Sequence, residues 1–338
     1  MSNKRIGAAL AAFLAVGGCA ALEPKPKPAA PVYVNEDPYP STYHRYPGVL
    51  TVIRHATVID GQGGQIADGT VIFNDGLIQA VGGPTLPSPA GAVEIDGTGK
   101  WVTPGIIDVH SHLGDYPSPG VTANSDGNEA TDPVHPDVWA EHSVWPQDPG
   151  FSRALVNGGV TTLEILPGSA NLFGGRSVVL KNVPGRTAQD MKFPGAPYGL
   201  KMACGENPKR VYGSHDHMPQ TRMGNIALAR ETWVKAVAYK RKWDDYYAKG
   251  GDLPDRDLSM DTLKGVLEGK ILVQNHCYRA DEMANMIDMA KEFGYRVTAF
   301  HHAVEAYKIA DILRANDICA VMWADWYGFK MEAYDAIK

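Results

Sequence analysis

The sequence predicts an α/β fold: a (β/α)8 (TIM) barrel, incomplete at about seven strands, preceded by a small β-sandwich-like domain. Three observations carry this. From residue 104 onward, apolar runs alternate with helical stretches, the pattern of βαβ units and a parallel sheet. Several of those runs end in polar residues, histidines among them, and side chains at the C-terminal ends of barrel strands converge on one mouth. Residues 48–102, by contrast, hold short Val- and Ile-rich segments with close-set turns. That spacing favours a separate unit over an edge layer of the following sheet.

The N-terminus is expected to lie outside the fold. Lys4-Arg5 precedes an apolar run from Ile6 to Val16, followed by Gly17-Gly18-Cys19. The run is shorter than the roughly 20 residues that a membrane-spanning helix needs, and has the length of a signal peptide. Its ending resembles a bacterial lipobox, so residues 1–19 are expected to be a signal peptide with Cys19 as the lipidated residue. An ordinary secretory signal cleaved nearby is the alternative. Either way the chain is expected to be exported, and Ala20 in place of an Asp favours a periplasm-facing anchor in the outer membrane. Residues 20–47 carry seven prolines, which predicts an extended tether between membrane and domain.

The remaining chain is long enough to bury a large core. Its composition is that of a soluble globular protein, with 44% hydrophobic and 21% charged residues, and a net charge of -6 argues against a nucleic-acid partner. Contact with a membrane is expected through the lipid anchor only. Cys204, Cys277 and Cys319 lie in apolar, strand-like settings without CxxC spacing and read as buried thiols.

Within 48–102, Asn74-Asp75-Gly76 predicts a hairpin turn. The barrel occupies 103–338. Its strands are expected at 105–110, 160–166, 176–181, 197–203, 270–276, 296–301 and 317–324. Helices are expected near 151–157, 222–248, 259–268, 280–293 and 303–315. The 280–293 helix carries Met283, Met286, Ile287 and Met289 on one side, a stripe that predicts core packing.

The stretch PGIIDVHSH, residues 104–112, is the most informative on chemistry. In a strand, His110 and His112 share a face, with Asp108 behind them to orient a ring. Two imidazoles so placed can bind a divalent metal. His276 ends the run ILVQNH, and His301-His302 end RVTAFHH. Three strands ending in this way point to shared metal coordination. Gly213-Ser214-His215-Asp216-His217 repeats the HxH spacing, but its Gly, Ser and Pro neighbours indicate a loop, at most a rim of the cleft.

The small β-domain, PGIIDVHSH and the later single histidines resemble the amidohydrolase superfamily, specifically its imidazolonepropionase-like and prolidase-like metal-dependent hydrolases. The resemblance runs from about Gly48 to the end, through GGVTTLEILPGSANLFGG, GLKMACGENPKRVYG, QNHCYRADEM and HHAVEAYKIAD. It implies one or two divalent metal ions, usually zinc, and water-driven cleavage of a C–N bond in a small-molecule amide, cyclic amide or dipeptide. It matches His110 and His112 to first-strand ligands, His276 to the fifth-strand ligand, and His302, rather than His301, to the sixth. Lys201 stands where two-metal members carry a carboxylated lysine bridging the ions. That chemistry needs a neutral amine in a low-dielectric setting, with which Tyr198 and Met202 are compatible. A salt-bridged or solvated lysine is the alternative, and Glu206, in a loop, is a rival carboxylate.

The family's strand-eight Asp, which binds metal and shuttles the proton, has no counterpart here. Asp325 falls one unit too early and serves only if the strand count is off by one. The sequence therefore reads as lacking the last strand-helix unit. A non-catalytic envelope lipoprotein, or an inactive fragment, using the barrel mouth to bind a ligand is the competing reading. Arg222, Tyr278 and Arg279 are candidate substrate contacts.

Overall fold

The computed structural model describes residues 32–323. The expected signal peptide, Cys19 and Asp325 lie outside them. The small β-domain is one five-stranded sheet made of β1 (Thr51–Ile59), β2 (Gln65–Asn74), β3 (Leu77–Gly82), β4 (Val93–Asp96) and β5 (Trp101–Val102). The order is β3-β2-β1-β4, and β5 also pairs with β1. The β2–β3 hairpin closes on Asp75 and Gly76, both at positive φ (47° and 71°), the requirement of a tight two-residue turn. Ala56, Val58 and Val71 form the small core beneath it.

Seven strands form the second sheet in chain order: β6 (Ile106–Ser111), β7 (Val160–Ile165), β8 (Phe173–Lys181), β9 (Gly199–Ala203), β10 (Leu272–Cys277), β11 (Val297–His302) and β12 (Cys319–Met322). Each coincides with an expected run. This is the barrel, incomplete among the described residues, with β6 and β12 at its open edges. On β6, Ile106 and Ile107 are exposed at 55% and 64%.

One expectation fails. β8 runs antiparallel to both neighbours, so it is not a βαβ strand. The cause is the connection: only residues 166–172 join β7 to β8, and a parallel crossover needs a dozen or more.

The expected helices appear as α1 (Pro149–Gly158), α4 (Arg222–Lys249), α5 (Leu258–Leu267) and α6 (Ala280–Phe293). Two short ones were not anticipated, α2 (Ala188–Met191) and α3 (Glu206–Gly213). The span 303–315 is broken into a 3-10 turn, Ala306–Ile309, and α7 (Ala310–Ala315). Asp148, Thr221 and Asp257 cap α1, α4 and α5 by accepting from backbone N–H groups of the first turn. The methionine stripe of α6 is buried in the main core with Trp233, Leu263 and Phe300.

Two further readings are corrected. Residues 32–47 are not a free tether but a strap along the barrel. Lys192 Nζ donates to Asp37 at 2.7 Å and pairs with buried Glu141 at 3.0 Å, Lys270 pairs with Glu36 at 3.0 Å, and Tyr33 stacks on Tyr247. The prolines prevent regular structure, yet the interleaved charged and aromatic residues find partners. Nor are the three cysteines buried thiols. Cys204 and Cys277 are disulfide-bonded, and Cys319 is free and exposed. Because β9 and β10 run in register with Ala203 opposite His276, the residues that follow, Cys204 and Cys277, come face to face.

Candidate functional site

His110 and His112 open from the end of β6 into a cavity of about 510 Å³, and His276 of β10 and His302 of β11 line the same cavity. The ring centroids of His110 lie 5.0 Å from those of both His112 and His302, and His276 lies 4.1 Å from His302. His302 arrives by an irregular route. Alternation along β11 aims His301 into the barrel with His276, so His302 belongs to the other face. A φ of +67° at His302 ends the strand, and its ring stacks on Trp323 at 4.2 Å.

With the Gln274 amide oxygen turned towards His301, the hydrogen bonds assign which ring nitrogens carry protons. Gln274 Oε1 can only accept, so His301 Nε2, 2.8 Å away, donates to it. Neutral His301 then has a lone pair at Nδ1, and His110 Nδ1–H donates to it at 2.8 Å. On the other side, His112 Nδ1–H donates to Leu166 O at 2.6 Å. Both rings are therefore left with unprotonated Nε2 atoms, which face each other at 3.3 Å. Two lone pairs in opposition repel; a shared cation turns that contact favourable. The spacing also matches the edge of a tetrahedron with arms of about 2.0–2.1 Å, those of zinc–imidazole bonds. His276 Nε2 is an acceptor too, approached by Asn207 Nδ2 at 3.3 Å.

Burial keeps these rings neutral. It lowers His112 to about 4 and His301 to about 3, and drives His110 far below the usual histidine range. The nearby Lys201 charge pushes all three the same way. Lys201 itself is 1% exposed, its Nζ has no hydrogen-bond partner among the described residues, and burial lowers its pKa to about 7. The buried Glu164 carboxylate opposes that shift. Tyr198 and Met202 do not provide the apolar setting, because they alternate to the opposite face of β9 and pack in the helix-side core. The interior shell comprises Gln274, paired across from Lys201, together with Glu164 and the bare backbone of Gly174.

The fit to a metal is chemical rather than already assembled. Among the described residues no three His, Cys, Asp or Glu side chains sit together at ligand spacing. What is present is a pair of opposed lone pairs, two further imidazoles within a ring's width, and a buried amine with no partner. These donors suit a borderline divalent ion such as zinc.

Other residues singled out by sequence divide clearly. Tyr278 lines the cavity, whereas Arg222 pairs with Glu282 at 2.7 Å and Arg279 with Asp281 at 2.8 Å, both away from it. Asp108 accepts from the His110 backbone N–H at 3.1 Å, so it steadies the strand end and does not orient a ring. Glu206 is not in a loop but begins α3, and its neighbour Asn207 is the residue of that turn lining the cavity. His215 and His217 are exposed and outside the cavity. Sequence reasoning missed Gln274 and Asn207 and passed over His301. Gln274 was within reach, since it lies two residues before His276 and so shares its face.

No family model matches the chain. The amidohydrolase tasK of Hapsidospora irregularis is 35% identical over 290 residues, 79% of this chain but 29% of its own length. The chain thus spans less than a third of that relative. An imidazolonepropionase of Idiomarina loihiensis is 42% identical over 85 residues, 25% of this chain and 19% of its own. Among solved structures, an amidohydrolase from Thermotoga maritima MSB8 is similar at a TM-score of 0.78 and 36% identity, over 85% of this chain and 73% of that one.

Proposed function

The chain belongs to the amidohydrolase superfamily, and on that premise we propose that it is a metal-dependent hydrolase cleaving a C–N bond in a small amide, cyclic amide or dipeptide. The observation that carries this reading is the pair of unprotonated Nε2 atoms of His110 and His112 facing each other at 3.3 Å. A part-buried contact that repels when empty is accounted for by an ion that fills it.

His110, His112, His276 and His302 would hold one or two divalent ions, zinc first among them, and Lys201, neutral or carboxylated, would join them. When bound, such an ion supplies Lewis-acid chemistry, polarising a carbonyl and making water acidic near neutral pH. The chain's own residues do the rest. Gln274 and His301 lock the His110 tautomer, and Leu166 O locks that of His112. Trp323 and Tyr278 wall the cavity, while Asn207, at the start of α3, has its amide N–H groups directed to Ser169 Oγ at 2.8 Å and His276 Nε2 at 3.3 Å and leaves its Oδ1 to accept from a substrate N–H. Proton transfer to the leaving nitrogen needs a general acid, which in the family is an Asp. Asp325, which follows the seventh strand, would fill that role only if the strand count were off by one.

The chain is also proposed to be exported and held at the membrane by a lipid on Cys19. The Cys204–Cys277 disulfide supports this, since such bonds persist in oxidising compartments.

The test is metal analysis of the full chain, then removal by chelator, reloading with zinc, and a screen of dipeptides and cyclic amides. Metal content should fall in His110→Ala and His112→Ala, and hydrolysis should return with zinc. Equal metal content in wild type and both variants refutes the site. Full metal content with no turnover on any substrate class favours the ligand-binding reading instead.

A further inference from the structure

A second cavity, of about 740 Å³, lies beside the histidine cavity, and Asn128 lines both. Its chemistry differs. Asp115, Ser125, Asp126, Glu129 and Asp137 line it, with no Lys or Arg among its lining residues. Two of its carboxylates are engaged, Glu129 by Thr131 Oγ1 at 2.7 Å and Asp137 by Ser259 Oγ at 2.9 Å. Asp115 is different. It is 1% exposed, and neither Oδ1 nor Oδ2 has a hydrogen-bond partner among the described residues.

A carboxylate buried with nothing to satisfy it destabilises the fold. Asp126 compounds this: its backbone N–H donates to the Asp115 carbonyl at 3.0 Å, which holds the two residues side by side. Two acidic groups kept adjacent, one of them sealed from solvent, are what a bound cation makes stable.

We propose that Asp115 and Asp126 form the anionic half of a binding site for a hard divalent cation of the calcium class, separate from the histidine cavity. The sealed oxygens favour a bare ion over a substrate's ammonium chain. All-oxygen donors suit calcium, where the imidazoles next door suit zinc. No three acidic or histidine side chains are gathered there, so the hydroxyl of Ser125, loop carbonyls and water complete the shell. The ion would tie down the 113–129 loop. That loop presents Tyr116 and Asn128, joined at 3.2 Å, to the histidine cavity.

The test uses the full chain, stripped of metal, reloaded with zinc, and titrated with calcium chloride by calorimetry and thermal unfolding. Saturable binding is expected, with Tm rising by about 5 °C at a hundredfold excess over Kd. Asp115→Asn and Asp126→Asn should each weaken calcium binding by at least about tenfold, since site charge sets affinity, while zinc content stays unchanged. The nearly isosteric Asp115→Asn should also reverse its rank: more stable than wild type without calcium, less stable with it. Absence of saturable binding, or equal binding in both variants, overturns the proposal. So does calcium binding that disappears in His110→Ala, which would place the ion in the histidine cavity. An Asp115→Asn chain less stable than wild type in both conditions would mean the fold itself needs the carboxylate.

Discussion

Replacing His301 tests whether the cavity is built around His110 Nε2. In His301→Ala, His110 Nδ1–H and Gln274 Oε1 lose the ring that joins them by two 2.8 Å bonds. Each orphaned buried group costs about 1–3 kcal/mol, so the fold should lose roughly 2–6 kcal/mol if no water replaces the ring. The effect on metal is distinct. Without an acceptor at Nδ1, His110 is free to move its proton to Nε2 and to rotate, and loss of such an orienting partner typically weakens metal binding 10–100-fold.

A zinc competition titration against a chromophoric chelator reads this directly. His301→Ala should weaken binding by about 10–100-fold, and His301→Gln should restore most of it. The glutamine oxygen can accept from His110 while its amide donates to Gln274. His112→Ala, which removes a donor outright, should cost more than either. If folded His301→Ala binds zinc as wild type does, the tautomer argument is wrong. If His301→Ala and His301→Gln both lose as much as His112→Ala, His301 is itself a ligand.

Lys201, whose amine becomes largely neutral above about pH 7, should let bicarbonate raise metal content at pH 8 but not at pH 6, and Lys201→Met should abolish the difference on metal analysis. The metal-free chain should lose stability as pH falls below about 6.5, because His112 and His301 titrate near 4 and 3 when folded. The unfolded chain then binds more protons, and denaturant midpoints measured from pH 7 to pH 4 should decline steadily. A midpoint that rises on acidification would show these rings are protonated in the fold. Lys192→Ala leaves the buried Glu141 carboxylate without its cation and should destabilise by about 3–5 kcal/mol in urea unfolding, whereas Asp37→Ala at the more exposed strap should cost far less. Equal losses would mean that the strap, not the buried charge, dominates.

The strand positions were legible because each apolar run is bounded by turn residues, and those of β8 to β11 are buried on both faces. Direction was not legible for β8. It is as buried as the strands that pair in parallel, and only the seven-residue connection before it carries the information that the chain turns back. The disulfide was hidden for a related reason. Cys204 and Cys277 are 73 residues apart, and nothing local says that β9 and β10 are neighbours in register. The strap defied composition: proline content forbids helix and sheet but says nothing about whether Glu36, Asp37 and Tyr33 find partners on a surface that forms only when the barrel does.

The histidines show where periodicity helps and where it stops. Alternation correctly puts His110 beside His112, and His276 beside His301. Carried one step further it removes His302 from the cavity, and it is the left-handed backbone at that residue that returns it. That conformation is disfavoured for any side chain with a Cβ. It persists here between the stacked Trp323 ring and the His276 ring, 4.2 and 4.1 Å away. An off-pattern histidine held at such a cost, next to two imidazoles whose lone pairs already oppose each other, is explained by what the cavity is shaped to hold rather than by packing. The strand supplies the first three donors by rule, and the break in the strand supplies the fourth.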